Sequence, residues 1–195
     1  MPPFELEAKR QEEVHERISD LRKDNLHSTP LPKGSVDTIK ETCKRKMIRE
    51  WKSSMKGTEQ GDNAIIGAIG EQLQEWLDAK VGLSFRATQV ITGHGCFSRY
   101  LCRIGRETTT RCWHCEATND SSRHTLRYCP AWDQERAALI ETIRPDLTPS
   151  TVIRALRRND SRKTFLRFCE TVMRKKEAAE RAREGVIVPS DMQDS

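Results

Sequence analysis

Cys112-Trp113-His114-Cys115-Glu116-Ala117-Thr118-Asn119-Asp120-Ser121-Ser122-Arg123-His124-Thr125-Leu126-Arg127-Tyr128-Cys129 is the stretch whose reading decides the rest of the chain. Written as spacing it is C-x2-C-x8-H-x4-C. Two thiols separated by two residues can grip one ion from a tight turn. A histidine four residues short of a cysteine can close the other half from the first turn of a helix. Three thiolates and one imidazole complete a tetrahedral shell, the closed arrangement of a structural zinc site with no position left for a reacting water. The bland alternative is crowding by chance, since the chain has 7 cysteines. Against it, the four ligand types fall in a short polar segment with almost no core-forming residues. Such a segment folds on its metal, which in finger peptides contributes about 10–16 kcal/mol of apparent binding free energy. The expected ligands are therefore Cys112, Cys115, His124 and Cys129, and the expected cofactor is Zn.

Working outward, the 195 residues suffice for one medium domain or two small ones, and only 35% are apolar against 32% charged. Helices with wide solvated faces fit that balance better than a sheet sandwich. The net charge of +5 and the pI near 8.9 permit a polyanionic partner. No apolar run is long enough to span a membrane, and the N-terminus has no secretory character. An odd cysteine count without an export signal argues against a disulfide framework and for a reducing, intracellular setting, in the nucleus or the cytoplasm.

Residues 4–26 read as a solvated helix with a narrow stripe of Val14, Ile18 and Leu21. His27 to Ser35 reads as a linker, and Ser35 as the N-cap of a helix whose Val36, Ile39, Cys43, Met47, Trp51 and Met55 recur at three and four. Lys56-Gly57 should end it. Asp62 or Asn63 is the candidate cap of the next piece, with Ile65, Ile66, Ile69, Leu73, Trp76 and Leu77 as core and Gly67 and Gly70 leaving the break between pieces open. The run Gly93-His94-Gly95 predicts a turn where the backbone approaches something closely. His94 and Cys96 are either an extra ligand pair or part of a structural turn under Phe97 and Tyr100.

Beyond the central stretch, Pro130 suits the first turn of a helix carrying Trp132, Ala138, Leu139, Ile140 and Ile143, ended by Pro145. Thr148 should cap a short helix with Val152, Ile153 and Leu156. Asp160 should cap a last one with Phe165, Phe168, Cys169, Val172 and Met173 inside, and Gly185 as its stop. Past Met173 the apolar stripe gives out, so Arg174-Lys175-Lys176 through Arg183 should project into solvent. The expected fold is mainly α: a small helical domain around a CCHC zinc knuckle, with an N-terminal helical arm and a basic C-terminal helix. Its divisions are an arm over 1–57, a helical segment with the Gly-His-Gly turn over 62–107, the knuckle over 108–132, a helical tail over 133–185 and a disordered end over 186–195.

Around the knuckle, Arg99, Arg103, Arg106, Arg111, Arg123 and Arg127 outnumber Glu107, Glu116 and Asp120. Guanidinium groups on a metal-pinned loop can fork onto phosphates. Trp113, His114 and Tyr128 are candidate platforms for stacked bases, unless they merely pack on the small module. Arg154, Arg157, Arg158, Arg162, Lys163 and Arg167 add charge further on, although a basic helix is commonly just a solvated face. Catalytic patterns are scarce: there is no Asp-Asp pair of a polymerase palm, no Gly-x-x-x-x-Gly-Lys loop, no His-Glu-x-x-His and no Gly-x-Ser-x-Gly. A closed four-ligand metal also argues against a zinc deaminase, which needs an open position. No catalysis is expected of this chain alone.

Thr88-Gln89-Val90-Ile91-Thr92-Gly93-His94-Gly95-Cys96-Phe97, with Tyr100-Leu101 following, resembles the "TQ-x-LTGHG-x-F-x-x-YL" run in the reverse-transcriptase polyprotein of arthropod non-LTR retrotransposons, the clade that includes elements inserting into ribosomal DNA. His124-Thr125-Leu126, Cys129-Pro130-Ala131-Trp132 and Arg136 are similar to that family's knuckle and its downstream run. Arg49-Glu50-Trp51, Glu75-Trp76-Leu77 and the stretch from Phe168 to Arg183 resemble its flanking helices. The resemblance covers nearly the whole chain. It implies a C-terminal segment that grips element RNA or target DNA during target-primed reverse transcription, possessing neither the polymerase nor the endonuclease site, with the polymerase portion of a parent polyprotein as a further partner. The alternative from a different class is a zinc-stabilised protein-interaction scaffold that binds no nucleic acid.

Overall fold

The computed structural model describes residues 2–24, 34–55, 64–143 and 146–186. Every regular element among them is helical, and none of these helices is long and apolar enough to cross a membrane. The chain divides into two compact units, Met1–Gly57 and Thr58–Ser195. The linker over His27 to Lys33, the Lys56-Gly57 stop, the Asp62 or Asn63 cap, the Pro145 stop and the tail beyond Val186 lie outside the described residues.

The first unit is a helical hairpin. Helix α1 (Phe4–Asp24) starts behind Pro3, whose carbonyl accepts from the amides of Leu6 and Glu7. Helix α2 (Ser35–Ser54) runs antiparallel to it: Lys9 pairs with Glu50 at 3.2 Å, and Lys46 with Glu13 at 2.9 Å. The apolar stripes meet at Val14, Cys43, Met47 and Ile48, so α1 is half of a packed pair and not a lone solvated rod. Ser35 does not cap α2. Gly34 holds that position at φ 91°, where a residue with a Cβ would be strained, and Ser35 is the first helical residue.

The second unit is built on its last helix. It comprises α3 (Ala64–Glu71), α4 (Leu73–Asp78), α5 (Phe85–Thr92), α6 (Ser98–Arg103), α7 (Ser122–Arg127), α8 (Asp133–Thr142), α9 (Pro149–Leu156) and α10 (Asn159–Val186). At 28 residues, α10 is roughly 42 Å long, and α5, α8 and α9 pack along it. The predicted stripe of Phe165, Phe168, Cys169, Val172 and Met173 is fully inside. Thr148 stands at the N-cap of α9, as its sequence position predicts, but α10 begins one residue before Asp160 and runs through Gly185 to Val186. Neither Gly67 nor Gly70 breaks α3. Both are buried along with Ala68, and these small residues let α3 approach α9 closely. Ile65 and Leu73 are core, while Ile66, Ile69, Trp76 and Leu77 are half-buried and Ala138 and Ile140 lie on the outer side of α8.

The stretch expected to project into solvent does the opposite. Lys176 is buried, Glu177 and Glu170 both receive the guanidinium of Arg86 from α5, and Arg183 reaches Glu107 at 3.6 Å. The apolar stripe of α10 thus continues as charged residues at the same helical spacing, each matched by a partner on α5 or on the 106–120 segment.

The Gly-His-Gly turn links α5 to α6. Gly93 ends α5 in the left-handed region at φ 71°. Gly95 is the close approach: a Cβ there would stand 3.1 Å from the Gln89 side chain and 3.1 Å from the terminal methyl of Met173. Met173 is fully buried and has nowhere to retreat. Gly95→Ala is therefore expected to destabilise the second unit by about 1–3 kcal/mol through overpacking, read as a lower urea midpoint. A midpoint equal to wild type would refute the close packing.

Candidate metal centre

The C-x2-C half of the site is a tight turn held by its own backbone. The Cys112 amide donates to the Ala117 carbonyl at 2.7 Å, and the Glu116 amide to the Cys112 carbonyl at 2.8 Å. Closing so small a loop puts Glu116 at φ 64°, an uncommon conformation for a residue with a side chain. The other half is α7. Ser121 caps it, its hydroxyl oxygen accepting from the His124 amide at 3.1 Å. The amides of Tyr128 and Cys129 both donate to the His124 carbonyl at 2.8 Å, which ends the helix and turns Cys129 back toward its first turn. His124 and Cys129 thereby face the same point as Cys112 and Cys115.

The four ligand atoms lie within 4.8 Å of one another. Sulfurs bound at about 2.3 Å to one tetrahedral ion sit about 3.8 Å apart, and a sulfur and an imidazole nitrogen about 3.6 Å apart. Here Cys112 Sγ and Cys129 Sγ are 3.9 Å apart, and Cys115 Sγ and His124 Nε2 are 3.2 Å apart. The donor set and its dimensions fit a metal ion. The Cys112 thiol is lowered to about 3, first by its contact with Cys129 and then by the backbone amides of His114 and Cys115 and the charge of Lys176, with burial opposing. Cys129 is correspondingly held up by Cys112 and by burial. The pair thus keeps one thiolate ready for a cation. His94 and Cys96 do not join this cluster: the Cys96 thiol donates to Glu180 at 2.7 Å, and burial with that carboxylate pushes it up to about 12.

Three residues that the sequence reading gave no role hold the centre in place. Asp120, buried in the loop between the ligand pairs, accepts from the Ser98 amide at 3.0 Å, from the Thr125 hydroxyl at 3.3 Å and from Lys176 Nζ at 2.8 Å and 2.9 Å. One carboxylate therefore ties the start of α6, the middle of α7 and α10 together. Arg136 of α8 is also buried and donates to the carbonyls of Thr125, Leu126 and Cys129, occupying the unpaired C-terminal end of α7. It is held in turn by Asp133. Lys176 completes the set and lies 5.5 Å from the Phe97 ring centre. The Asn119-Asp120-Ser121-Ser122 run is the only sequence signal, and it reads as ordinary capping chemistry.

The nine residues proposed from sequence to touch nucleic acid divide. Tyr128 is exposed, with the guanidinium carbons of Arg123 and Arg127 at 5.8 Å and 5.1 Å from its ring centre. Among the described residues no carboxylate lies within ion-pair distance of Arg103, Arg123 or Arg127. Trp113 is exposed as well, beneath Arg183 at 4.8 Å and Arg111 at 5.9 Å. His114 is not an open platform. It is half-buried against Trp132 with ring centres 4.7 Å apart, and burial together with the charge of Lys176 lowers its imidazole below the usual range. Arg106 is engaged by Glu180 and Glu184, and Arg111 by Glu116. Arg99 and Arg103 lie on α6, away from the ligand turn in sequence, beside Tyr100. No family model, curated protein or solved structure matches the chain.

Proposed function

We propose that this chain is a zinc-dependent nucleic-acid-binding module. The observation that carries the reading is the convergence of three thiols and an imidazole beneath an exposed tyrosine flanked by two arginines. Three sulfurs and one nitrogen in a tetrahedron suit Zn over harder cations, and the resulting closed site is structural. Its effect is to hold Arg123, Arg127 and Tyr128 rigidly on α7 and just beyond it, so that guanidinium groups meet phosphates while the ring accepts a base. The cationic residues Arg154, Arg158, Lys163 and Arg167 are exposed on α9 and α10 and extend the charge. With the resemblance described above, this supports a C-terminal segment of a retrotransposon reverse transcriptase that grips element RNA or target DNA without catalysis of its own, inside the cell.

The test is binding of single-stranded RNA and duplex DNA to the zinc-loaded chain across a salt series. The expected log–log slope is about −0.7 per phosphate neutralised on a single strand. Tyr128→Ala is expected to weaken single-strand binding by about 1–3 kcal/mol with the slope unchanged, and Arg123→Gln to make the slope shallower by about 0.7. A flat salt response refutes the reading.

A second reading has one observation in its favour. The hollow beside Trp113, of about 530 Å³, is lined by Glu107, Glu180 and Glu184 as well as Arg106 and Arg183. Mixed charge around an exposed indole suits a protein partner, such as the polymerase portion of a parent polyprotein, better than a phosphate. Full zinc binding with no nucleic-acid affinity would favour that scaffold role.

A further inference from the structure

A second hollow, of about 320 Å³, opens where the Gly-His-Gly turn meets α6, lined by Thr92, Gly93, His94, Arg99, Tyr100, Cys102 and Arg103. Its volume is at the low end of the ~300–1,000 Å³ of small-molecule sites. No carboxylate lines it, so it is unsuited to a cation. Two guanidinium groups and an imidazole point to an anion, and the ring pair points to something flat. His94 and Tyr100 lie with ring centres 4.9 Å apart, and Arg103 stands 5.1 Å from the Tyr100 ring centre. His94 is exposed on its other side.

The walls are firmly based. Gly93 ends α5 in a conformation that glycine adopts without strain, and Gly95 is wedged against Gln89 and Met173, so the turn carrying His94 has little freedom. On the other wall, α6 is fastened at both flanks of its first turn: the Ser98 amide donates to the Asp120 carboxylate, and the Arg99 amide to the Asp120 carbonyl at 3.1 Å. Arg99 and Arg103 are one helical turn apart and so share a face.

We infer that this hollow holds a single nucleotide, its phosphate on the guanidinium groups of Arg99 and Arg103 and its base on the exposed face of His94, which Tyr100 backs. The inference rests on the nucleic-acid reading above and names a site which that reading does not include. It makes the turn a position for one unstacked nucleotide of the bound strand, separate from the Tyr128 face.

The experiment uses the full zinc-loaded chain, titrated with adenosine monophosphate, adenosine or inorganic phosphate, with the amide resonances of Gly93 and Gly95 as the readout. Adenosine monophosphate is expected to shift both saturably and at least tenfold more tightly than either of the other two. Arg103→Gln should weaken it about tenfold, and His94→Ala should bring it down to the affinity of phosphate, with zinc content and helical circular dichroism unchanged in both. Absence of a shift overturns the inference, as does equal affinity for phosphate and the nucleotide, or a wild-type affinity in Arg103→Gln. Single-stranded RNA binding of the same samples separates the two levels. Salt- and zinc-dependent RNA binding without a nucleotide shift at Gly93 sinks only the hollow. A nucleotide shift without RNA binding leaves the hollow standing and sinks the broader reading.

Discussion

Stripping zinc from the loaded protein with a strong chelator is expected to unravel residues 108–132 and to lower the melting temperature of the whole second unit. The size of the effect follows from where the ligands sit. Cys112 and Cys129 are fully buried and belong to the same core cluster as Phe97, Leu126, Trp132 and Met173. Apparent zinc binding in finger peptides is about 10–16 kcal/mol, more than the roughly 5–15 kcal/mol of net stability of an ordinary domain. Without the ion, the Cys112–Cys129 thiolate pair is a buried charge near three sulfurs and an imidazole that no longer neutralise it. Cys115→Ser should reproduce the loss, with zinc stoichiometry falling from one to zero. Cys102→Ser, outside the cluster, should keep both zinc and melting temperature. A melting curve indifferent to chelator would contradict the assignment.

The other large effect is expected at a pair of charges. The side chains of Asp120 and Lys176 are each 2% exposed and 2.8 Å apart. Removing one partner of such a pair leaves the other charge buried, at a cost of about 3–5 kcal/mol. Asp120→Asn retains an oxygen for the Ser98 amide but gives Lys176 no counter-charge, and Lys176→Met leaves the carboxylate without its cation. Each alone should lose most of the unit's stability in urea. The double variant Asp120→Asn, Lys176→Met should be more stable than the sum of the single losses, by an interaction energy of up to about 3 kcal/mol. Strictly additive losses would show that the two groups do not act as a pair.

The metal ligands were legible because the information is local. Two cysteines across a turn and a histidine one helical turn before another cysteine lie close together however the rest of the chain folds. The helices flanked by plain caps and apolar periodicity, α9 and the first half of α10, were legible for the same reason. The second half of α10 was not. Lys176 and Glu177 find their partners 56 and 91 residues away, at Asp120 and Arg86. A charged residue at helical spacing looks the same from sequence whether it meets water or a buried counter-charge. The likeness of Arg106 and Arg111 to phosphate-binding arginines failed in a related way, since glutamates occupy both. His114 was misplaced because only the fold brings Trp132 against it.

Because Asp120 waits for a lysine on the final helix, the knuckle is not a detachable cartridge. A synthetic peptide covering 108–132 would still chelate an ion, but it would leave Phe97 and Trp132 without their cover and α6 without its anchor. During synthesis the loop stays unsealed until α10 has left the ribosome. Any excised piece meant to display the arginine and tyrosine face in its native posture has to extend from α3 through Arg183.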